Sequence, residues 1–393
     1  MKKLFTVVLI LGFFSVSFAQ QLPDLPIPLG AGNAEVWNGS IYHFGGSNNW
    51  SGSIVYPRVY RYNGTNWIYH DTIPDYNLWD VETTLVGNNV YLLGGWPGGP
   101  SLNRRYNLST GEWLNLTPSP NTSQTWGITS EEANGIIYLF NSVGAVYAYT
   151  IATDTWSVKT PNTATGSWDM SSIVFHGDIY LIGWSSSAFY KYSPSTDSWT
   201  KLADSPYPVG ACAFGIINDL IYGVGGNDGG GSIAFYKSII VYDITTDSWR
   251  IDNLELSSKR HWMATATYQG GLYVVGGIDE AALSVDTVEQ IVPQGTAGID
   301  DDLALLKGYK LEQNFPNPFT NSTRINYTLP TGSFTTLKVY DVMGNELVAL
   351  VNGNKQAGNH FVNLSAKRLK SGIYYYRLQS GDITLSKRFI YKE

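Results

Sequence analysis

Short runs of apolar and polar residues, with no helical period, organise this chain. Ile239-Ile-Val-Tyr-Asp-Ile244 reads as a strand and Thr245-Thr-Asp-Ser248 as the turn after it. A hydrophobic-tyrosine pair, usually running into Gly-Gly, recurs six times, at Ile41-Tyr42, Val90-Tyr91, Ile137-Tyr138, Ile179-Tyr180, Ile221-Tyr222 and Leu272-Tyr273. Successive tyrosines lie 49, 47, 42, 42 and 51 residues apart. Downstream, a second aromatic precedes a turn and a tryptophan: Tyr62 with Trp67, then Tyr106 with Trp113, Tyr149 with Trp156, Tyr192 with Trp199 and Tyr242 with Trp249. The last four pairs share a spacing of seven. The only stretch approaching an amphipathic helix is Leu303 to Leu306, and it is short.

A period of 40 to 50 residues with several strands per unit predicts stacked blades, because a lone four-stranded sheet leaves both faces exposed. The pattern resembles kelch repeats, and the resemblance implies a six-bladed β-propeller over 20–293. Paired glycines would let the second strand turn where side chains would clash. The sixth unit lacks its tryptophan. Gln20-Gln-Leu22-Pro-Asp-Leu-Pro-Ile-Pro-Leu-Gly30 aligns with Thr200-Lys-Leu202-Ala-Asp-Ser-Pro-Tyr-Pro-Val-Gly210, so the N-terminal segment is expected to supply the missing outer strand and close the ring.

The last eighty or so residues follow a different pattern. Asn314-Phe-Pro-Asn-Pro-Phe319, Tyr340-Asp-Val-Met-Gly344, Ser371-Gly-Ile-Tyr374 and the basic strand Ser386-Lys-Arg-Phe-Ile-Tyr-Lys392 occur in that order. They resemble the type A C-terminal sorting domain of type IX secretion in Bacteroidetes-type bacteria, which implies a small Ig-like β-sandwich at 309–393 behind a linker at 294–308. It also implies two partners, the secretion translocon and the protease that removes the domain, and a destination at the cell surface or outside the cell.

The N-terminus agrees. Lys2 and Lys3, an apolar stretch from Leu4 to Phe14, and Ser17-Phe18-Ala19 read as a signal peptide over 1–19. About 11 apolar residues fall short of the roughly 20 that span a bilayer, so no membrane span is expected in the mature chain. Cys212 is the only cysteine, which leaves no internal disulfide. A net charge of −7 without a basic block argues against nucleic acid as a partner.

Candidate chemistry concentrates where first strands begin. Trp79, Trp126 and Trp168 each sit twelve residues before a repeat tyrosine, and Trp262, behind His261, sits eleven before Tyr273. Gly30 and Gly210 hold the place in the first and fifth units. With Asp80 and Asp169 beside two of the indoles, this arrangement would ring one mouth of the channel and suit sugar rings and their hydroxyls. Trp50 and Trp96, in glycine-rich loops, add aromatic surface.

No cofactor or metal is expected, since the five histidines show no paired spacing. No catalytic residue is assigned. Cys212 reads as a small buried residue, and the Asp154, Asp197 and Asp247 turns as structural, each aspartate bonding its own backbone. The residues fit a non-catalytic module binding a glycan or an extracellular protein. The alternative is a carbohydrate-active enzyme, sialic-acid epimerase-like or oxidase-like. Arg260-His261, Glu82 and Glu131-Glu132 could supply epimerase groups, although such charges read as solvated loop positions.

Overall fold

The structure is a computed structural model that describes residues 17–392 apart from 75–78, 97–100, 122–126, 163–168, 184, 218, 230–233, 269–270, 293–307, 341–345, 367–368, 371 and 382. Two compact units divide the chain between Val292 and Pro293. Among the described residues every regular element is a strand. The apolar stretch Leu4 to Phe14 and most of the expected linker lie outside them.

The first unit is a six-bladed propeller. Blades 1 to 5 each contain four antiparallel strands and begin at Asn33–Trp37, Glu82–Val86, Thr129–Ala133, Ser171–Phe175 and Ala213–Ile217, the sheet of blade 5 being extended to five by Ser17–Phe18. Blade 6 is built from Ala264–Tyr268, Gly271–Val275, Val288–Ile291 and, as its outer strand, Gln20–Leu22. Each first strand lies against the next, and Ala264–Tyr268 lies against Asn33–Trp37, so the ring is closed. The register Gln20 to Gln290, Gln21 to Glu289 and Leu22 to Val288 joins the N-terminal strand to the last blade. Ser17–Phe18 pairs in parallel with Leu254 and Glu255 of blade 5.

Stacking creates the core. It divides into six clusters, each shared by two successive blades. Tyr42, Phe44 and Val59 of blade 1, for example, pack on Val90, Leu92 and Tyr106 of blade 2. Leu25 and Leu29 join the cluster between blades 6 and 1. All six repeat tyrosines are buried there. Burying a large apolar side chain stabilises by about 1.5–3 kcal/mol, which no blade could collect alone. The paired glycines answer a backbone demand. Gly226 has φ 92, and a Cβ on it would lie 2.7 Å from the carbonyl oxygen of Gly210, so no side chain fits.

The aspartate turns work differently from the expectation. Asp154, Asp197 and Asp247 sit at φ 52, 49 and 46, and each accepts the hydroxyl of the blade's second aromatic at 2.6, 2.6 and 2.7 Å. The same oxygen also accepts a backbone N–H from the segment leaving the preceding blade, at Thr117, Thr160 and Ala203. The carbonyls of those residues accept the indole N–H of Trp156, Trp199 and Trp249. Tyrosine, aspartate and tryptophan thus clamp one blade to the one before it, and the aspartate reaches across the interface rather than back to its own turn. In blade 2 the turn position is Gly111, and Tyr106 donates instead to Asp71 of blade 1 at 2.7 Å.

The second unit is a β-sandwich. One sheet orders Lys310–Leu311, Ser322–Leu329 and Gly358–Ser365, and the other Glu346–Lys355, Ser333–Tyr340, Gly372–Ser380 and Ile383–Tyr391. Alternate residues of both sheets, among them Ile325, Tyr327, Leu337, Tyr376 and Phe389, form one core. The Asn-Phe-Pro-Asn-Pro-Phe block is anchored at Phe319, which is buried, while Phe315 projects 81% exposed. The Tyr376 hydroxyl donates to Glu312 O at 2.7 Å and accepts from Asn314 N at 2.9 Å, pinning the start of that block.

Candidate functional site

Six equivalent entries into first strands build the mouth of the channel. Two residues before each first strand the backbone is left-handed: Ala31 (φ 53), Asp80 (φ 58), Gly127 (φ 66), Asp169 (φ 48), Ala211 (φ 50) and Trp262 (φ 51). Backbone bonds link these positions around the ring, from Ala31 N to Trp262 O, Trp262 N to Ala211 O and Ala211 N to Asp169 O. Glycine and aspartate tolerate this conformation, whereas for a bulky residue it is strained. Trp262 is the bulky exception.

The residue just before pairs with the one that follows the glycine pair. Gly30 bridges Ser47, Trp79 bridges Trp96 and Gly210 bridges Asn227, and His261 pairs with Ile278 in the same way. His261 therefore holds the place of Trp79, and Trp262 that of Asp80 and Asp169. The spacing of eleven rather than twelve residues before Tyr273 carried this signal.

The expected aromatic ring is only partly assembled among the described residues. Trp79 is buried, with Gly52 so close that a Cβ there would meet its indole at 2.2 Å. Trp262 is half-buried, stacks on His261 with centroids 4.7 Å apart, and meets Trp79 at 5.4 Å across the small residues of blade 1. Trp50 and Trp96 are exposed. Trp126 and Trp168 lie outside the described residues.

Below the mouth lies a cavity of about 360 Å³ along the channel, lined by first-strand residues of all six blades. Its acidic character is the main finding. Glu35, Asp80, Glu82, Glu131 and Asp169 line it together with Thr83, Ser130 and Ser172. Glu82 and Glu131 lie in strands and not in solvated loops. Thr83 donates to Glu35 at 2.9 Å, Ser172 to Glu131 at 2.9 Å, and Gly127 N to Asp80 at 2.8 Å. Asp169 is 4% exposed, and its Oδ1 has no hydrogen-bond partner. Blades 5 and 6 contribute Ala213, Phe214, Met263 and Thr265, none charged.

Removal from water penalises the charged form of each carboxyl. Burial lifts Glu35 and Glu131 to about 7, opposed by the Thr83 and Ser172 hydroxyls respectively. Asp80 rises to about 6, opposed by the Gly127 N–H. Burial raises Glu82 well above the usual range, and the charges of Asp80, Glu131 and Glu35 push it further. Asp169 rises likewise through burial and the charge of Asp80, with the Trp262 indole opposing.

No arginine, lysine or histidine lines the cavity among the described residues. Arg260 is not in the channel. Fully buried, it is ion-paired with Glu289 of the last strand at 2.5 Å. Cys212 lines the wall beside Ser171, and burial pushes its thiol up to about 11. Among the described residues no three His, Cys, Asp or Glu side chains converge as a metal site. The carboxyl ring was legible only in fragments. Glu35 carried no motif, yet Glu35 and Glu131 both stand four residues past the left-handed position.

The chain is a kelch-type β-propeller followed by a type IX sorting domain. A family model described as "Secretion system C-terminal sorting domain" matches residues 313–392, which supports export to the surface or the medium. Curated relatives of the propeller include "Kelch-like protein terF" of Aspergillus terreus, 26% identical over 52% of this chain and 52% of its own length. Another is "Kelch-like protein 36" of Bos taurus, 33% identical over 24% of this chain and 15% of its own length. The chain thus spans about half or less of the curated relatives it matches. Among solved structures, "Structure of YjhT" aligns with TM-score 0.59 and 16% identity over 70% of this chain and 98% of that one, a likeness of fold.

Proposed function

We propose that the propeller is a non-catalytic binding module of an exported protein and takes a glycan at the mouth of its channel. Trp262 is the observation that carries this reading: a half-exposed indole held at φ 51, where every other entry has alanine, glycine or aspartate. Backbone strain of this kind persists where the surroundings enforce it and concentrates at ligand sites. The indole offers a face for a sugar ring, and the Asp80, Asp169, Thr83 and Ser172 oxygens beneath offer acceptors and donors for its hydroxyls.

The test is a glycan array on the purified protein, comparing wild type with Trp262→Ala. Wild type should bind a defined set of glycans and Trp262→Ala should lose it. Equal binding by the variant, or no glycan bound, overturns the reading and leaves the mouth and the loop 47–52 to contact a protein.

A carbohydrate-active enzyme is the second reading, favoured by Glu35 and Glu131, whose carboxyls at about 7 suit proton transfer near neutral pH. It requires turnover of a bound glycan that Glu131→Gln abolishes. An epimerase that pairs arginine with carboxylate on an anionic sugar finds no arginine among the described residues of the wall.

A further inference from the structure

We propose that the channel selects a cationic glycan, one carrying a free amino sugar whose ammonium enters the cavity among Glu35, Asp80, Glu82, Glu131 and Asp169. This rests on the glycan reading and adds the chemical class. Two independent observations support it. The first is the charge balance of the wall: five carboxyls from blades 1 to 4, a sixth lining residue in Glu132, and no basic side chain among the described lining residues. The second is Asp169, a cavity-lining residue 4% exposed, whose Oδ1 lacks a hydrogen-bond partner, as does Nε1 of the neighbouring Trp262 indole. Buried polar atoms left unpaired cost free energy unless a ligand pairs with them.

The surrounding groups do not supply the missing charge. His43, whose ring stands 2.5 Å from where a Gly32 Cβ would lie, is held neutral by burial at about 4. His261 behind Trp262 is also held at about 4 and receives the Asn227 amide at 3.0 Å. Cys212 stays a thiol, and Arg260 is committed to Glu289. Glu132 accepts the Gly135 N–H. Carboxyls crowded this way share protons when the channel is empty. An ammonium entering among them favours their ionised forms, so binding releases protons. A carboxylate ligand such as a sialic acid would meet repulsion from the ionised carboxyls of blades 1 to 4.

The experiment uses isothermal titration calorimetry on the whole protein with a short glucosamine oligomer and its N-acetylated counterpart. It is run at about pH 6, below the usual range of an amine and above that of an ordinary carboxyl, in two buffers of different ionisation enthalpy. The glucosamine oligomer should bind at least about tenfold tighter, the scale of one charge-assisted hydrogen bond, with net proton release. Asp169→Asn and Glu82→Gln should bring the two oligomers towards parity, while Trp262→Ala weakens both.

Parity in wild type, preference for the acetylated oligomer, or no proton release overturns the amino-sugar assignment and leaves the glycan reading standing. If neither oligomer nor any array glycan binds, the glycan reading fails with it. Tighter binding of a lysine oligomer than of the glucosamine oligomer would assign the channel to a cationic peptide and overturn the proposal. The wild-type comparison does not depend on the variants folding.

Discussion

Replacing Asp247 with alanine should destabilise the propeller by about 3 kcal/mol. Asp247 Oδ1 accepts the Tyr242 hydroxyl at 2.7 Å and the Ala203 N–H at 2.8 Å. Hydrogen bonds to a charged group contribute about 1.5–3 kcal/mol each. The aspartate itself is exposed, so water recovers part of the loss at Ala203. The Tyr242 hydroxyl belongs to a residue 1% exposed and is left without its acceptor. Urea unfolding followed by tryptophan fluorescence is the assay, because all 13 tryptophans precede residue 263 and the signal belongs to the propeller. A double-mutant cycle with Tyr242→Phe should give a coupling of about 1.5 kcal/mol, which isolates the pair. The pH dependence has a definite sign. The Ala203 N–H, and then the Tyr242 hydroxyl, hold the Asp247 carboxyl below its usual range. Its contribution is therefore fully present above the unfolded value of about 4 and fades as pH falls through the lower folded value. A cost under about 0.5 kcal/mol, no coupling, or a difference between wild type and variant that survives strong acid would refute the clamp.

Three further outcomes follow from the same structure. Glu289→Gln or Arg260→Met alone should cost about 3–5 kcal/mol by stranding a buried charge, and Arg260→Met with Glu289→Leu should recover much of it, read as urea midpoints. Deleting residues 20–22 strips the outer strand from Val288–Ile291 and should cost about 2–4 kcal/mol and cause association through the bared edge; an unchanged midpoint with a monomeric elution profile would count against closure. Deleting residues 387–393 removes most of the pairing of Ile383–Tyr391 with Gly372–Ser380 and should retain the protein in the periplasm, and normal surface display of that deletion would refute the sorting role.

What could be read from the sequence was whatever every blade must repeat. The hydrophobic-tyrosine pairs stand out because each blade interface needs the same buried ring, and the glycine pairs because no Cβ fits where Gly226 passes Gly210 O. The clamp was half legible. Tyr149 and Asp154, Tyr192 and Asp197, and Tyr242 and Asp247 keep one spacing, but the N–H groups that complete it come from 37 to 44 residues upstream. Trp79 was placed correctly in register, yet its cover, Gly52, belongs to a loop of the preceding blade that local pattern cannot fold over it. Glu82 and Glu131 read as solvated loop charges because no local pattern marks them as strand residues facing a channel. The channel provides a polar interior that no period in the sequence announces.

Where the blades differ from one another is itself informative. A ring that needed only to close could fill its channel with small uncharged residues, as blades 5 and 6 do with Ala213 and Thr265. Blades 1 to 4 instead line it with carboxyls, Asp169 buried and Glu35, Asp80, Glu82 and Glu131 half-buried, whose desolvation opposes folding, with Glu82 raised further by three like charges. Blade 6 places an indole in a conformation that disfavours it. Neither feature stabilises the propeller, and the inter-blade clamps and six shared cores hold the ring without them. Costs that bring no structural return, gathered around one end of one cavity, are accounted for by a ligand that offsets them on binding. The Glu82→Gln variant separates this from chance: if the carboxyls serve a ligand, it should be more stable than wild type near neutral pH and bind more weakly. A variant neither stabilised nor impaired would mean that the acidic wall is tolerated rather than used.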